Sequence, residues 1–357
     1  MRDYDDMETF IVVPCLNEKA SLAATCASLG FGRGMDPIGR LVLVDNGSTD
    51  GTPAVMEQVQ IDSAKGTVLL AAEPRRGYVP ARRAGITAVL ACARMEQTPL
   101  NQVLVLQADA DTIYLKGYVD AMRSAFSGMP GQMLEGCAVT NRDFNTQYPE
   151  FTRLCRMVDE KMEPLLAPEE DQIVIDDKVS AFSLSDYLSW GEHQEEIDAF
   201  GQQVHAETTR LFLRALRAGG AQHVKVPDAC ALPSRRKVFS QAPAYFASSG
   251  FPRDPAWAMA WMRLEDSAKF LRSPFTSPMT TRLIRSRQRH QLALFALLPS
   301  ILRGATPSEF ALSEVICEAR LLFAQNPPGQ ILGKMLSLAD QEGGALDAAI
   351  MSYGHCM

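Results

Sequence analysis

Two carboxylates one residue apart, Asp109 and Asp111, stand where the run Val103-Leu104-Val105-Leu106-Gln107 ends. Held so close, they repel each other unless a cation sits between or beside them. Carboxylate oxygens are hard donors, and a hard divalent ion that itself holds a diphosphate would resolve the repulsion. Asp-x-Asp alone is a weak pattern, since Asp3-Tyr4-Asp5 also matches it in a polar N-terminal stretch where it carries no meaning. What separates the two is the strand. An apolar, β-favouring run bounded in this way reads as a buried strand of a parallel sheet, and open α/β sheets bind ligands beyond the carboxyl ends of their strands.

The elements that must position the pair repeat one plan. Residues 10–14 read as a first strand, 41–44 as a second, 67–71 as a third and 103–107 as a fourth. Cys15-Leu16-Asn17-Glu18 follows the first, with Asn17 expected to cap a helix running to about residue 29. Asp45 ends the second strand, before the turn-rich Asn46-Gly47-Ser48-Thr49-Asp50-Gly51-Thr52. Glu73-Pro74-Arg75-Arg76-Gly77-Tyr78 is a basic loop after the third, leading into a helix over 79–94. Alternation of this kind specifies a doubly wound sheet with right-handed crossovers. Polar residues recur after all four strands, which predicts one polar cleft along one sheet edge.

Composition narrows the class. A chain of 357 residues holds one large domain or two smaller ones. With 46% apolar and 22% charged residues it reads as an ordinary soluble globular protein. A net charge of -7 and a pI near 5.4 argue against a nucleic-acid partner. They leave open a phosphorylated small substrate, which needs only local positive charge. Eight cysteines without CxxC spacing, Cys15, Cys92 and Cys137 among them in apolar stretches, read as small hydrophobes in a reducing cytoplasm. The N-terminal stretch has no apolar signal core, and no run nears the roughly eighteen apolar residues of a membrane span. A cytoplasmic protein is expected.

The motifs together resemble the family 2 glycosyltransferases of GT-A fold. The resemblance is carried by Val13-Pro14-Cys15-Leu16-Asn17-Glu18, by Val44-Asp45 through Thr52, by Arg76-Gly77-Tyr78-Val79-Pro80-Ala81-Arg82-Arg83-Ala84-Gly85-Ile86 and by Asp109-Ala110-Asp111, in that order. It implies a nucleoside-diphosphate sugar donor, a divalent metal (Mn2+ or Mg2+) and hexosyl transfer to an acceptor, whether small molecule, glycan or lipid-linked. By resemblance, Asp45 meets the base or ribose of the nucleotide, flanked by Pro14, Asn17 and Glu18. Arg75, Arg76, Gly77 and Arg82 belong to the nucleotide or its diphosphate, since guanidinium groups pair with anionic oxygens. Asp109 and Ala110 face the ribose and metal side, and Asp111, with Asp109, coordinates the ion. No histidine stands where some members supply a third ligand.

Further along, Ala181-Phe182-Ser183-Leu184-Ser185-Asp186-Tyr187-Leu188 stands where the family has a strand and a short helix. Glu207 falls in the Gly-Glu-Asp motif, with Thr208 at the usual aspartate position. A hydroxyl without help is too weak a base at neutral pH, so the departure turns attention to Glu207, with His205 in reserve. Glu207 otherwise only complements a helix N-terminus. Ser234-Arg235-Arg236 resembles a segment expected near the donor diphosphate. The acidic run over 168–178 reads as a solvated loop or a lid.

Beyond about residue 240 the resemblance stops. Helices are expected over 115–126, 148–166 and 256–271, and through the remainder as far as Gly343-Gly344. Arg282, Arg285, Arg287, Arg289 and His290 precede the apolar run 292–298. They fit a peripheral membrane contact on anionic lipid, or, more commonly, a core helix with a basic flank. The expected architecture is therefore an α/β, Rossmann-like mixed sheet of GT-A type over 1–240, with a nucleotide-binding half 8–127 and an acceptor half 128–240, and an α-helical extension over 241–357. Two other functions fit the layout: a non-catalytic nucleotide-sugar binding or assembly subunit, and a nucleotidyltransferase. The latter leans on a glycine-rich basic loop after strand one, where this chain has Pro14-Cys15-Leu16-Asn17-Glu18.

Overall fold

The computed structural model describes residues 7–197, 204–303, 317, 320–321 and 324–354. Asp3-Tyr4-Asp5 and residues 304–316 of the expected helical tail lie outside them. The chain forms two compact units, Met1–Val139 with Ile175–Glu195 and Ala206–Ser234, and Thr140–Val174 with Glu196–His205 and Arg235–Met357.

The first unit is built on eight strands: β1 (Glu8–Cys15), β2 (Arg40–Asp45), β3 (Val68–Ala72), β4 (Val103–Gln107), β5 (Thr112–Tyr114), β6 (Gln132–Ala138), β7 (Ser180–Ser183) and β8 (Gln222–Pro233). Their order in the sheet is β3-β2-β1-β4-β7-β6-β8-β5. β1, β2 and β4 are runs of Val, Ile, Leu and Phe with almost every residue buried, as strands covered on both faces require. β1 pairs in parallel with β2 on one side and with β4 on the other, so the strand order reverses there. The crevice at such a reversal is where open α/β sheets hold ligands. The helix Tyr78–Met95 lies close on the sheet because Gly85 has no side chain. A Cβ there would stand 2.3 Å from Val12 Cγ1 and 3.0 Å from Val44 Cγ2.

Beyond β4 the sheet becomes mixed. β7 runs antiparallel to β4, with Leu106 opposite Ala181, and β6 is antiparallel to β7 but parallel to β8. The amino end of β7 thereby sits beside the carboxyl end of β4. The mixed, helix-flanked sheet followed by C-terminal helices is the expected fold class, and the doubly wound parallel reading holds for the first four strands.

Several local expectations are corrected. The first helix is Leu22–Ser28, with Ser21 at its cap, so Asn17 caps nothing. Asn17 instead takes a left-handed φ of 57°, and its Oδ1 accepts the Thr49 N–H at 2.8 Å. The helix expected from 115 begins at Tyr118, because Thr112–Tyr114 pairs with β8. The stretch 256–271 holds two helices, Pro255–Met262 and Ser267–Arg272. Helix 148–166 is Pro149–Met162 and then a 3-10 turn, and the chain is helical again past Gly343-Gly344, over Ala345–Gly354. Cys15, Cys26 and Cys92 are buried free thiols, whereas Cys137 is only half-buried.

The second unit is helical around Phe144, Phe151, Leu154, Phe246, Trp261, Phe270 and Leu283. Its helix Thr280–Gln291 carries the basic flank, and the structure makes it a core helix. Arg287 is bidentate to Asp159 at 2.8 Å, Arg289 meets Asp347 at 3.0 Å, and both arginines and His290 are buried. No helix among the described residues is long and apolar enough to cross a membrane.

Candidate active site

Along the carboxyl ends of β1, β2 and β3, side chains brace the loops. Asp45 ends β2 half-buried, opposite Cys15, and its Oδ1 accepts the Ser48 N–H at 3.1 Å. Pro14 is half-buried opposite Val44, and the Glu18 N–H donates to Thr52 Oγ1 at 2.8 Å. Asn46, nearly fully buried, donates to the Glu73 and Arg75 carbonyls at 2.9 and 2.7 Å and accepts the Gly77 N–H at 2.9 Å. That amide staples the basic loop to the β2 turn. Gly77, at φ 139°, then opens the helix Tyr78–Met95. Arg75 and Arg76 are exposed; Arg76 donates to the Gly47 carbonyl at 3.2 Å.

One turn into that helix, Arg82 is 3% exposed and joins two acids from distant parts of the chain. Its Nε donates to Glu207 Oε1 at 2.9 Å and its Nη2 to Asp109 Oδ1 at 3.1 Å. Nη1 is buried without a hydrogen-bond acceptor. Burial works against the guanidinium charge, but Asp109, Glu207 and Asp177 outweigh it and raise the proton affinity further. Asp109 itself is half-exposed, and its N–H donates to the Tyr114 hydroxyl at 2.9 Å. Ala110 is buried, its carbonyl accepting from Thr25 Oγ1 at 3.0 Å, and Asp111 is half-buried with its carbonyl taken by the Ser234 N–H.

The helix Glu207–Ala218 presents its first turn to the same centre. Ala206, at φ 61°, precedes it, and Glu207 is 5% exposed. Thr208 is fully buried; its hydroxyl accepts from Gln107 Nε2 at 2.8 Å and lies 3.5 Å from His193 Nε2. His193 is held neutral, by burial first and then by Arg82, Arg214, Arg210 and Arg83 around it. The Thr208 N–H donates to Asp177 Oδ1 at 3.1 Å. Burial, and then the Glu207 charge, push the Asp177 carboxyl up to about 7, against Arg82 and the Thr208 amide, which pull it down.

Asp177, Gln107 and His193 are residues that sequence reasoning missed. In the sequence Asp177 is one of five acids in the run 168–178, read as a solvated loop or a lid, and its only individual signal is its place three residues before a strand. His205, Arg235 and Arg236 belong to the second unit. There Arg235 hydrogen-bonds the Thr140 hydroxyl and stacks on Phe144, and Arg236 begins the helix Arg236–Ala247.

Among the described residues no three His, Cys, Asp or Glu gather as a metal cluster. Asp109 and Asp111 offer hard oxygens, and Mg2+-like ions are commonly held by one or two carboxylates together with substrate phosphates. The donor set therefore fits a divalent ion that arrives with a diphosphate.

Residues 10–130 match the family model described as glycosyl transferase family 2. Uncharacterized glycosyltransferases of Mycobacterium bovis and Mycobacterium tuberculosis are 36% identical over 99 residues, 28% of this chain and 35% of each relative. The match thus spans about a third of the length of these curated relatives. Among solved structures, a mannosyltransferase from Pyrobaculum calidifontis in complex with GDP-Man and Mn2+ aligns at 16% identity and TM-score 0.44, over 96% of this chain and 87% of that one. S. aureus TarS in complex with UDP-GlcNAc aligns at 12% identity and TM-score 0.47, over 90% of each chain.

Proposed function

We propose that the chain, whose residues 10–130 match the glycosyl transferase family 2 model, transfers a sugar from a nucleoside-diphosphate sugar to an acceptor hydroxyl with the help of Mn2+ or Mg2+. The observation that carries this reading is the set of acids at one sheet edge: Asp45 ends β2, Asp109 and Asp111 follow β4, and Arg82 ties Asp109 to Glu207. Asp45, with Pro14, Asn17 and Glu18 beside it, receives the nucleoside. Its carboxylate accepts from an imino proton of the base or from a ribose hydroxyl. Arg75, Arg76 and Gly77 face the diphosphate. The divalent ion, held by Asp111 and Asp109, would neutralise charge on the departing diphosphate. Arg82 adds fixed positive charge in a water-poor setting, where it acts most strongly.

A rival reading, a nucleotide-sugar binding subunit without turnover, draws on Thr208, whose hydroxyl is buried against Gln107. A thermal-shift screen of UDP- and GDP-sugars with and without Mn2+ tests the common part. Stabilisation of roughly 2.7 kcal/mol is expected at a hundredfold excess over Kd. No shift with any nucleotide sugar overturns both readings, and a shift without release of nucleoside diphosphate leaves the binding subunit.

A further inference from the structure

Asp177 reaches the site by topology. Because β7 runs antiparallel to β4, the residues just before Ser180 arrive at the edge where β4 delivers Asp109 and Asp111. The turn Asp177–Val179 is then fixed from several directions. The Asp176 N–H donates to Glu135 Oε1 at 2.6 Å, and Glu135 is itself buried and bound by His223 and Lys225. Tyr114, whose hydroxyl accepts the Asp109 N–H, donates that hydroxyl to the Lys178 carbonyl at 2.9 Å. Gln107 Nε2 reaches Ser180 Oγ at 2.8 Å, and Ser180 Oγ donates to the Asp177 carbonyl at 3.2 Å. The backbone carrying Asp177 is thus tied to the backbone carrying Asp109.

The acids here have different partners. Asp109 and Glu207 each accept from the Arg82 guanidinium, whereas Asp177 accepts from the Thr208 backbone amide and is half-buried. A carboxylate bound to a guanidinium is already engaged by a cation, and Glu207 is also almost wholly shielded from solvent. Asp177 lies against residue 208 itself, the position where a base is missing.

We propose that Asp177, delivered to the head of the helix Glu207–Ala218 by the turn before β7, is the base that deprotonates the acceptor hydroxyl. This rests on the transferase reading above. In the step, an Asp177 carboxylate oxygen takes the hydroxyl proton while the acceptor oxygen bonds to the anomeric carbon. The bond from that carbon to the diphosphate oxygen breaks, and its electron pair leaves with the nucleoside diphosphate. Asp177 then returns the proton to water. The groups that set its charge are Glu207 and Asp176, which disfavour ionisation, and Arg82 and the Thr208 amide, which favour it, with Lys178 alongside. A carboxyl near 7 is matched to general-base work at neutral pH.

The test uses the full chain with Mn2+ and UDP-glucose, UDP-N-acetylglucosamine and GDP-mannose, reading nucleoside diphosphate release with water or with azide as the nucleophile. Azide needs no deprotonation. Asp177→Asn keeps an oxygen for the Thr208 amide, and Asp177→Ala serves as the second variant. Both are expected to lose 100-fold or more with water, a typical share for general-base catalysis, while azide-dependent release and UDP or GDP affinity by calorimetry stay within about threefold. The wild-type rate with water is expected to climb up to pH ~7 and level off, and the variants to lose that limb. Equal loss with water and azide, or no loss with either, overturns the base and leaves the transferase intact. So does the water-selective loss appearing in Glu207→Gln instead. A wild-type chain that releases nothing from the whole panel overturns the transferase reading and the base with it.

Discussion

Arg82 Nε and Glu207 Oε1 meet at 2.9 Å across 125 residues of sequence, with the two side chains only 3% and 5% exposed. A buried pair of this kind contributes little relative to an apolar replacement, but breaking it by removing one partner leaves a stranded charge. Arg82→Ala strands Glu207 and removes the cation beside Asp109 and Asp177. It is expected to cost about 3–5 kcal/mol. Glu207→Gln keeps an oxygen for the Nε–H and is expected to cost less. Urea unfolding of both variants checks this, and a loss below ~1 kcal/mol for Arg82→Ala counts against a desolvated pair.

Asp111→Asn is expected to remove the metal dependence of nucleotide binding. Calorimetry of UDP and GDP should show tighter binding in Mn2+ than in EDTA for the wild type and equal, weak binding for the variant. Equal affinities in the wild type under both conditions would dispose of the metal role.

Asp45→Ala should weaken the same titration by roughly tenfold or more, as expected for loss of a hydrogen bond to a charged group, worth about 1.5–3 kcal/mol. The fold should persist, since among the described residues the carboxylate makes one hydrogen bond, to the Ser48 amide at the sheet edge. Circular dichroism melts separate the outcomes. A variant that melts far below the wild type, yet binds UDP or GDP normally when folded, makes the carboxylate structural.

Asp177 also predicts a pH dependence of stability. Its carboxyl is pushed up to about 7 in the folded chain, by burial first and then by Glu207; an unfolded aspartate sits near ~3.9. Between those values the folded chain holds more protons than the unfolded one, so this group's favourable contribution is complete below pH ~4 and is lost as pH rises through ~7. Asp177→Asn removes the loss. The variant should gain stability relative to wild type between pH 5 and pH 8, by a few kcal/mol at most at ~1.4 kcal/mol per tenfold change in proton affinity. Denaturant midpoints across that range measure it, and a constant difference refutes it.

The donor side was readable because its signals are contiguous. Asp45 and Asp109 each sit directly at the end of an apolar strand, and four such strand ends share one edge by the parallel rule alone. The acceptor side depends on an antiparallel partner whose sequence is a mere four residues, Ser180–Ser183, and nothing local announces that it lies against β4. Asp177 therefore looked like one more acid in a polar run. Asn17 failed for a related reason. Its cap-like type is real, but Thr49, far along the chain, takes the side chain that a helix would have used. Past residue 240, hydrophobic periodicity located helices, while the break between Met262 and Ser267 and the helix after Gly344 depend on packing partners.

Gly85 ties inheritance of the site to a position packed against the sheet, on Val12 and Val44. Its missing side chain lets the Arg82 helix rest on these two residues, so a larger residue is expected to lift the helix and draw the guanidinium away from both acids at once. Loss at this position is not reparable from within the active site. A second-site suppressor of Gly85→Ala has to make room beneath it, and Val12→Ala, which deletes the methyl group 2.3 Å from the new carbon, is the change that should emerge from selection.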